Sequence, residues 1–279
     1  NISYVVASDT DSIYVKLGGV VDKIFKDKSN TRKIVKVLDK FCEETMQKEI
    51  DNSFDKLAKY VNAFDQKMIM KREVIANKGI WTAKKRYILN VYNEEGVELK
   101  EPKLKMMGIE AVKSSTPAPC RIKIREALKV IMNKDESTLI QFIEDFRIHF
   151  KKLPPEDIAY PRSCNNLKKY SSSTDIYQKS CPIHVRGALL YNNQLKKRRL
   201  VKYEKVNEGD KIKFVQLKEP NPIHENVISF ISVLPKEFNL HQYIDYDEQF
   251  NKSFLEPLRF IVNVIGWNFE RQSTLDSFF

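Results

Sequence analysis

Two aspartates two residues apart, Asp9 and Asp11 in Ala7-Ser8-Asp9-Thr10-Asp11-Ser12, are the side chains of this sequence best placed to do chemistry. Carboxylates held close beside an exposed turn can share a divalent cation with phosphate oxygens, the arrangement of two-metal phosphoryl transfer. In an extended chain residues i and i+2 point to the same side, so this spacing would aim both at one ion. The commoner use of such a string is an Asx-rich turn that satisfies its own backbone. An EF-hand is excluded, because Ile13 and Tyr14 stand where a ligand and a glycine are needed. Cys181-Pro182-Ile183-His184 and Cys164 offer three zinc-type ligands, but no fourth stands at a usual spacing, so they read as packing or loop positions.

Elements must position the two aspartates. Tyr4 to Ala7 and Ile13 to Val15 are short β-branched and aromatic runs around small polar residues, a hairpin signal with the aspartates at its tip. From Thr31 to about Ala63, apolar residues at Ile34, Leu38, Phe41, Ile50, Phe54, Leu57 and Val61 follow helical spacing, with Asp51-Asn52 as the candidate interruption. Met68 to Ala76 and Trp81 to Tyr92 read as strands, with Asn93-Glu94-Glu95-Gly96 as the turn into a third. After Gly108 the texture changes. A loop at Ser114 to Pro119 precedes a helix to about Met132, and a second helix runs from about Ser137 to Lys152 and stops at Pro154-Pro155. Residues 160 to 205 are polar and irregular, and Leu240 to Gly266 is again mostly helical. The expected class is α+β: an antiparallel sheet with helices, then a mainly helical part.

The chain has 279 residues and a formal net charge of +11. Two stretches carry the whole excess. Residues 160 to 205 hold eleven Lys or Arg against Asp175 and Glu204, and residues 67 to 86 hold seven against Glu73. Concentrated cations suit phosphate contacts of sequence-independent, salt-sensitive affinity. Four cysteines with no Cys-x-x-Cys pair make no disulfide framework and place the protein in a reducing cytosol. No apolar run approaches the roughly 20 residues of a membrane span, and no secretory signal is visible, so no membrane partner is expected. The first residue is Asn rather than Met, which leads us to expect a fragment or one piece of a larger polypeptide.

The string Val5-Val6-Ala7-Ser8-Asp9-Thr10-Asp11-Ser12-Ile13-Tyr14-Val15 resembles the Asp-Thr-Asp-Ser palm motif of family B DNA polymerases. Ala83-Lys84-Lys85-Arg86-Tyr87 with Leu89-Asn90-Val91-Tyr92 is similar to the Lys-Lys-Arg-Tyr strand of the replicative polymerases of T-even-type phages. Lys105 to Glu110 with Ser114 to Pro117, then Cys181 to Gly187, then Lys252-Ser253-Phe254 with Pro257-Leu258, look like that subgroup too and occur in family order. The resemblance covers essentially the whole chain, and the combination is much more specific than any one motif.

The resemblance implies a C-terminal part of a polymerase palm over residues 1–108, a thumb over 109–271 and a clamp-binding tail over 272–279. Asp11 would bridge two Mg²⁺ ions shared with a carboxylate outside this chain, with Asp9 in a less direct role. Glu73 would be an acidic residue near this site, or a structural counter-ion to Arg72 or Lys71. Lys84, Lys85, Arg86 and Tyr87 would lie along the primer near its terminus. On a strand Lys85 and Tyr87 share one face, which the resemblance turns to the minor groove. There purine N3 and pyrimidine O2 are common to all base pairs, so a cation reads duplex shape. Arg186 and Lys252 match thumb residues that contact the DNA backbone, and Lys196, Lys197, Arg198 and Arg199 lie in the cationic stretch expected to touch duplex phosphates. Glu256 stands where the family often has a second basic residue.

The tail Gln272-x-x-Leu275-x-x-Phe278-Phe279 fits the clamp-interacting peptide of replication proteins. One helical turn would present Leu275, Phe278 and Phe279 as an apolar plug for a sliding clamp, or for the chain's own thumb. The upstream palm strand, the fingers helix and the proofreading exonuclease that the family needs are absent from this sequence. The expected function is therefore that of a C-terminal subunit or fragment of a DNA-directed DNA polymerase, inactive alone. Its expected partners are primer-template DNA, dNTP, a sliding clamp and an N-terminal polymerase part in the same or a separate chain, in the cytoplasm of an infected bacterial cell. The rival class is a non-catalytic DNA-binding and clamp-docking module. A primase or reverse transcriptase fits the carboxylates but leaves the later strings unexplained.

Overall fold

The aspartate hairpin closes more tightly than its sequence suggests, as seen in a computed structural model that describes residues 4–109, 111, 113–172 and 174–269. β1 (Val5–Asp9) pairs antiparallel with β2 (Ser12–Val15), with Asp9 opposite Ser12 and Ala7 opposite Tyr14. Only Thr10 and Asp11 connect them, and Thr10 takes a left-handed φ of 45°. A two-residue connection needs such a φ to match the twist of its strands. Asp9 therefore ends a strand while Asp11 sits past a reversed residue. The extended-chain reason for expecting both carboxylates on one side does not hold.

After α1 (Gly18–Ile24), α2 (Thr31–Phe41) starts at Asn30, whose side chain accepts a hydrogen bond from the Lys33 amide at 3.0 Å. A single π turn, Cys42–Met46, joins α2 to α3 (Gln47–Tyr60) without a break. The irregularity thus lies upstream of Asp51-Asn52. Asp51 instead accepts from Gln47 Nε2 at 2.8 Å, an i,i+4 pair that supports the helix.

The next three strands form one antiparallel sheet in the order β3 (Val74–Ala83), β4 (Arg86–Glu94), β5 (Val97–Met107). Two expectations are corrected here. The strand expected over Met68 to Ala76 begins at Val74 and runs on to Ala83. The strand expected over Trp81 to Tyr92 is broken, because Lys84-Lys85 is a two-residue turn with Lys85 at φ 60°. No Gly, Asn or Asp marks that turn. The pairing of Ala83 with Arg86 imposes it. By contrast, Glu95 and Gly96 take φ 52° and 86° at the expected turn, and Asn93 Oδ1 accepts from the Gly96 amide at 3.1 Å.

Strand alternation buries this sheet on both faces. Ile75 and Tyr92 pack with Val35 and Leu38 of α2 on one side. Tyr87, Leu89 and Val91 pack with Tyr14, Trp81 and Leu99 on the other. Tyr14 of β2 lies 5.4 Å from Trp81 and 5.3 Å from Tyr87 between ring centroids, edge-on and tilted. Such aromatic pairs contribute about 0.5–1.5 kcal/mol beyond their buried area, so they clip the aspartate hairpin to the sheet.

The chain divides into two compact units between Gly108 and Ile109. The second unit begins with α4 (Ala118–Asn133) and α5 (Glu136–Phe150), the latter capped by Asp135, which accepts from the Thr138 amide at 2.8 Å. Then come α6 (Pro155–Ile158), β6 (Tyr160–Ser163), α7 (Leu167–Tyr170) and α8 (Ile183–Lys197). β7 (Lys211–Gln216) and β8 (Val227–Phe230) precede α9 (Tyr246–Phe250), a π turn at Asn251–Leu255 and α10 (Glu256–Val264).

Residues 160 to 205 are less irregular than expected. They contain α8, which buries Val185, Ala188, Tyr191 and Leu195 at helical spacing beneath its cations. This unit also holds a three-stranded antiparallel sheet, β6-β7-β8, absent from the expectation of a mainly helical part. Phe146, Phe150, Phe250 and Phe254 form its aromatic core, with Phe146 and Phe254 centroids 4.8 Å apart. The α+β class holds. Among the described residues no helix is long and apolar enough to cross a membrane.

Candidate metal and nucleic-acid site

Two hairpin turns meet at one end of the first unit. Lys85 Nζ, from the β3–β4 turn, is 3.7 Å from Asp9 Oδ1, at the end of β1. Aromatic packing beneath them explains the approach, since Tyr14 lies a few residues below the first turn and Trp81 and Tyr87 flank the second. Burial of Tyr14, reinforced by a hydrogen bond with Tyr87, pushes its phenol up to about 12.

The two aspartates are not equivalent. Asp9 is half-buried, faces Lys85 and accepts from Thr10 Oγ1 at 3.4 Å. Asp11 is exposed and makes no hydrogen bond or ion pair among the described residues. Its two oxygens keep all their acceptor capacity, which fits a carboxylate ligand of a hard cation. No group of three or more His, Cys, Asp or Glu that could hold a metal occurs among the described residues. The turn itself supplies two carboxylates, Asp9 engaged with Lys85 and Asp11 exposed. Glu73 pairs with Lys105 of β5 rather than with its neighbour Arg72. Arg72 is 14% exposed and binds Asp39, as well as Asn93 Oδ1 at 2.8 Å. Glu73 lies one residue before β3, and nothing in the sequence linked it to Lys105, whose side chain reaches it across the chain fold.

Gly108 sets the position of the lysine turn. Its φ is +64°, and a Cβ there would lie 2.6 Å from the Lys85 carbonyl and 2.9 Å from Arg86 Cγ. Arg86 Nε in turn donates to the Gly108 carbonyl at 3.2 Å. Gly108→Ala is expected to cost about 1–3 kcal/mol, from left-handed strain and overpacking against backbone. Urea unfolding of the full chain would measure it. Gly19→Ala, in α1 with nothing within 4 Å of the added carbon, is the control expected to cost nothing. Equal midpoints for the two variants would refute this account of the turn.

The other anticipated contacts divide by what already holds them. Lys84 and Lys85 are exposed, whereas Tyr87 is 8% exposed, its ring inside the aromatic cluster. Lys85 and Tyr87 thus do not share the face of one strand. In the second unit Arg186 Nη2 donates to Asn226 Oδ1 at 2.5 Å, with Nε 3.9 Å from Glu225 and the guanidinium over the Tyr177 ring. Lys252 pairs with Glu248 at 2.7 Å. Arg198 donates to the Glu237 carbonyl at 2.5 Å, and Lys202 and Tyr203 both bind the Glu237 carboxylate. The hydrogen bond from Lys202, ahead of that from Tyr203, holds the Glu237 carboxyl down to about 2.

Several cations of the two charge-rich stretches are therefore engaged in the fold, while Lys196, Lys197 and Arg199 stand exposed beside Arg198 at the end of α8. All four cysteines are free thiols. Burial lowers the His184 imidazole, with Arg162 adding to the effect. Gln272, Leu275, Phe278 and Phe279 lie outside the described residues.

Comparison with known proteins gives whole-chain similarity. The chain is 35% identical to a DNA-directed DNA polymerase of Escherichia phage RB69 and 31% identical to one of Enterobacteria phage T4, over 99% of its own length in each case. It spans about a third (32%) of the length of each of these relatives. No protein-family model matches it.

Proposed function

This chain is related along its whole length to the T-even-type phage family B DNA polymerases, and on that premise we propose that it supplies part of the nucleotide-adding site and the duplex grip of such an enzyme. Residues 1–108 serve as the C-terminal part of the palm, residues 109–271 as the thumb and 272–279 as the clamp-docking tail. With an upstream polymerase part, in the same chain or a separate one, the assembly adds nucleotides from dNTP to a primer 3′-hydroxyl in the cytoplasm of the infected cell.

The observation that carries this reading is the meeting of the two turns, in which the exposed Asp11 and the Asp9–Lys85 pair at 3.7 Å stand together at one end of a rigid aromatic clip. Asp11, with Asp9 beside it, would hold Mg²⁺ together with a carboxylate from outside this chain. Ions held there would help to activate the attacking oxygen and offset charge on the triphosphate. Lys85 carries its charge on an exposed turn, where it can reach minor-groove acceptors common to every base pair. Lys84 and Arg86 flank it, and Tyr87 anchors the strand that aims it. Glu73, with its charge offset by Lys105, serves as an acidic support of the site's edge. Arg186, Lys252 and the Lys196-Lys197-Arg198-Arg199 run follow duplex phosphates, with affinity falling as salt rises.

The test is primer extension. The chain is mixed with the upstream part of a T-even-type polymerase on a primer-template with labelled dNTP, and synthesis is expected only when both parts are present. If the two parts bind each other on a native gel yet add no nucleotide, the catalytic reading is overturned in favour of a DNA-binding and clamp-docking module.

A further inference from the structure

A second cationic site lies in the first unit, outside both charge-rich stretches. A groove of about 700 Å³ is lined by Asn30, Arg32, Lys33, Lys36, Glu98 and Lys100, from the start of α2 and from β5. It shares Asn30 and Arg32 with a recess of about 400 Å³ that Tyr92 helps to line. Four cations here meet one lining carboxylate. Glu98 is 3.4 Å from Arg32 Nη1 and 3.5 Å from Lys36 Nζ, so it aligns two of them without cancelling the four. Arg32 is also held by the Lys100 carbonyl. Asp27, which Lys33 also influences, is occupied by the Ser29 amide and hydroxyl, each at 2.9 Å.

The dimensions and chemistry select a ligand class. A groove this large exceeds a lone phosphate, and its cations are spread over two elements, as a run of phosphates requires. Tyr92 is half-buried and fixed from behind by Val35, Leu38 and Ile75, which leaves it as one wall of the recess beside Arg32. Cations along a track with an aromatic wall beside them are the means by which single strands are held without sequence preference, because every base has a π-face. A duplex keeps its bases stacked inside and has no use for the recess. We propose that this groove binds a single-stranded nucleic acid, with phosphodiesters along Lys33, Lys36 and Lys100 and a base in the recess at Arg32 and Tyr92. The proposal stands apart from the metal-binding turn and does not require the chain to add nucleotides.

Fluorescence anisotropy with a short labelled oligo(dT), and with a hairpin duplex of matched length, tests it on the full chain. Lys33→Gln/Lys36→Gln/Lys100→Gln is expected to weaken oligo(dT) binding about tenfold or more at low salt. It should also flatten the slope of log affinity against log salt by about 2, as three lost single-strand phosphate contacts demand. Duplex affinity should stay within about threefold, since its proposed contacts lie elsewhere. Tyr92→Leu should weaken oligo(dT) further by about tenfold, and Tyr92→Phe should retain binding, as stacking requires. Three results would each overturn the proposal: no loss in the triple variant, an equal loss for duplex and single strand, or displacement of oligo(dT) by inorganic phosphate beyond that caused by chloride of equal ionic strength.

Discussion

Asp11→Ala in the reconstituted polymerase is expected to cut nucleotide addition by about a thousandfold or more, equivalent to roughly 4 kcal/mol of transition-state stabilisation. Primer-template affinity should stay within about twofold, because sequence-independent affinity comes from phosphate contacts that the substitution leaves alone. The structure makes this an interpretable experiment. Asp11 is exposed and holds no hydrogen bond or ion pair among the described residues, so its removal leaves the fold intact. An unchanged thermal midpoint is the accompanying check. Asp9→Ala is a less clean probe, since Asp9 ends β1 and faces Lys85. Single-turnover primer extension on a fixed template reads the effect. Retained synthesis in the Asp11 variant would remove the metal-binding assignment.

Gly187→Ala should be the most damaging single-carbon addition in the second unit. Gly187 lies on α8 against β8, where a Cβ would meet the Ser229 hydroxyl, the Ser229 amide at 2.8 Å and the Ile228 carbonyl carbon at 3.1 Å. Two of these are backbone atoms of a buried strand and cannot swing away. The Ser229 hydroxyl also donates to the His184 carbonyl at 2.8 Å, a bond between strand and helix that the shift would break. Overpacking costs about 1–3 kcal/mol and a lost hydrogen bond about 1 more. At about 2–4 °C per kcal/mol for a unit of this size, the midpoint should fall by about 5–15 °C. Adding Ser229→Gly removes the hydroxyl but not the amide, so it should restore only part of the loss. A midpoint unmoved in Gly187→Ala would mean that helix and strand separate more easily than this packing implies.

Arg186 is the neighbour of Gly187, and its role depends on the same close approach. The guanidinium is held by Asn226 and Glu225 from the segment leading into β8, with Tyr177 beneath it. An arginine restrained in this way loses less side-chain entropy on meeting a phosphate than a free one. Any displacement of α8 by Gly187→Ala would carry into the duplex grip proposed for this residue. Weakened DNA binding and lowered stability should therefore appear together in that variant.

Much of the first unit was legible from the chain. Short β-branched and aromatic runs marked the aspartate hairpin and the body of β4, and Asn93 to Gly96 marked the turn before β5, because these patterns depend on neighbours a few residues apart. The helical spacing from Ile34 onward was equally clear, although the π turn at Cys42–Met46 left no sign. In the second unit α8 went unseen because the cations of residues 160 to 205 dominate the composition around it, while its buried residues, about two per turn, include small and polar ones such as Gly187 and Gln194. The short strands β7 and β8 were missed for a related reason: four to six residues of mixed character become a strand only when a partner strand is supplied.

By itself the sequence determined the family, the aspartate pair and the local turns that carry it, since residue identity and short-range backbone preference suffice for these. Only the tertiary structure decided that Lys84-Lys85 is a turn, that Lys85 meets Asp9, that Glu73 belongs to Lys105, and that Arg72 is spent on Asp39. The turn depends on which strands pair and in what register, and the three ion pairs on which elements pack against one another. Register is set by the burial of whole faces such as Tyr87, Leu89 and Val91, and not by the charged residues that it brings together. A run of cations in one dimension therefore states how much charge a protein carries. Packing decides which of those cations remain available to a ligand.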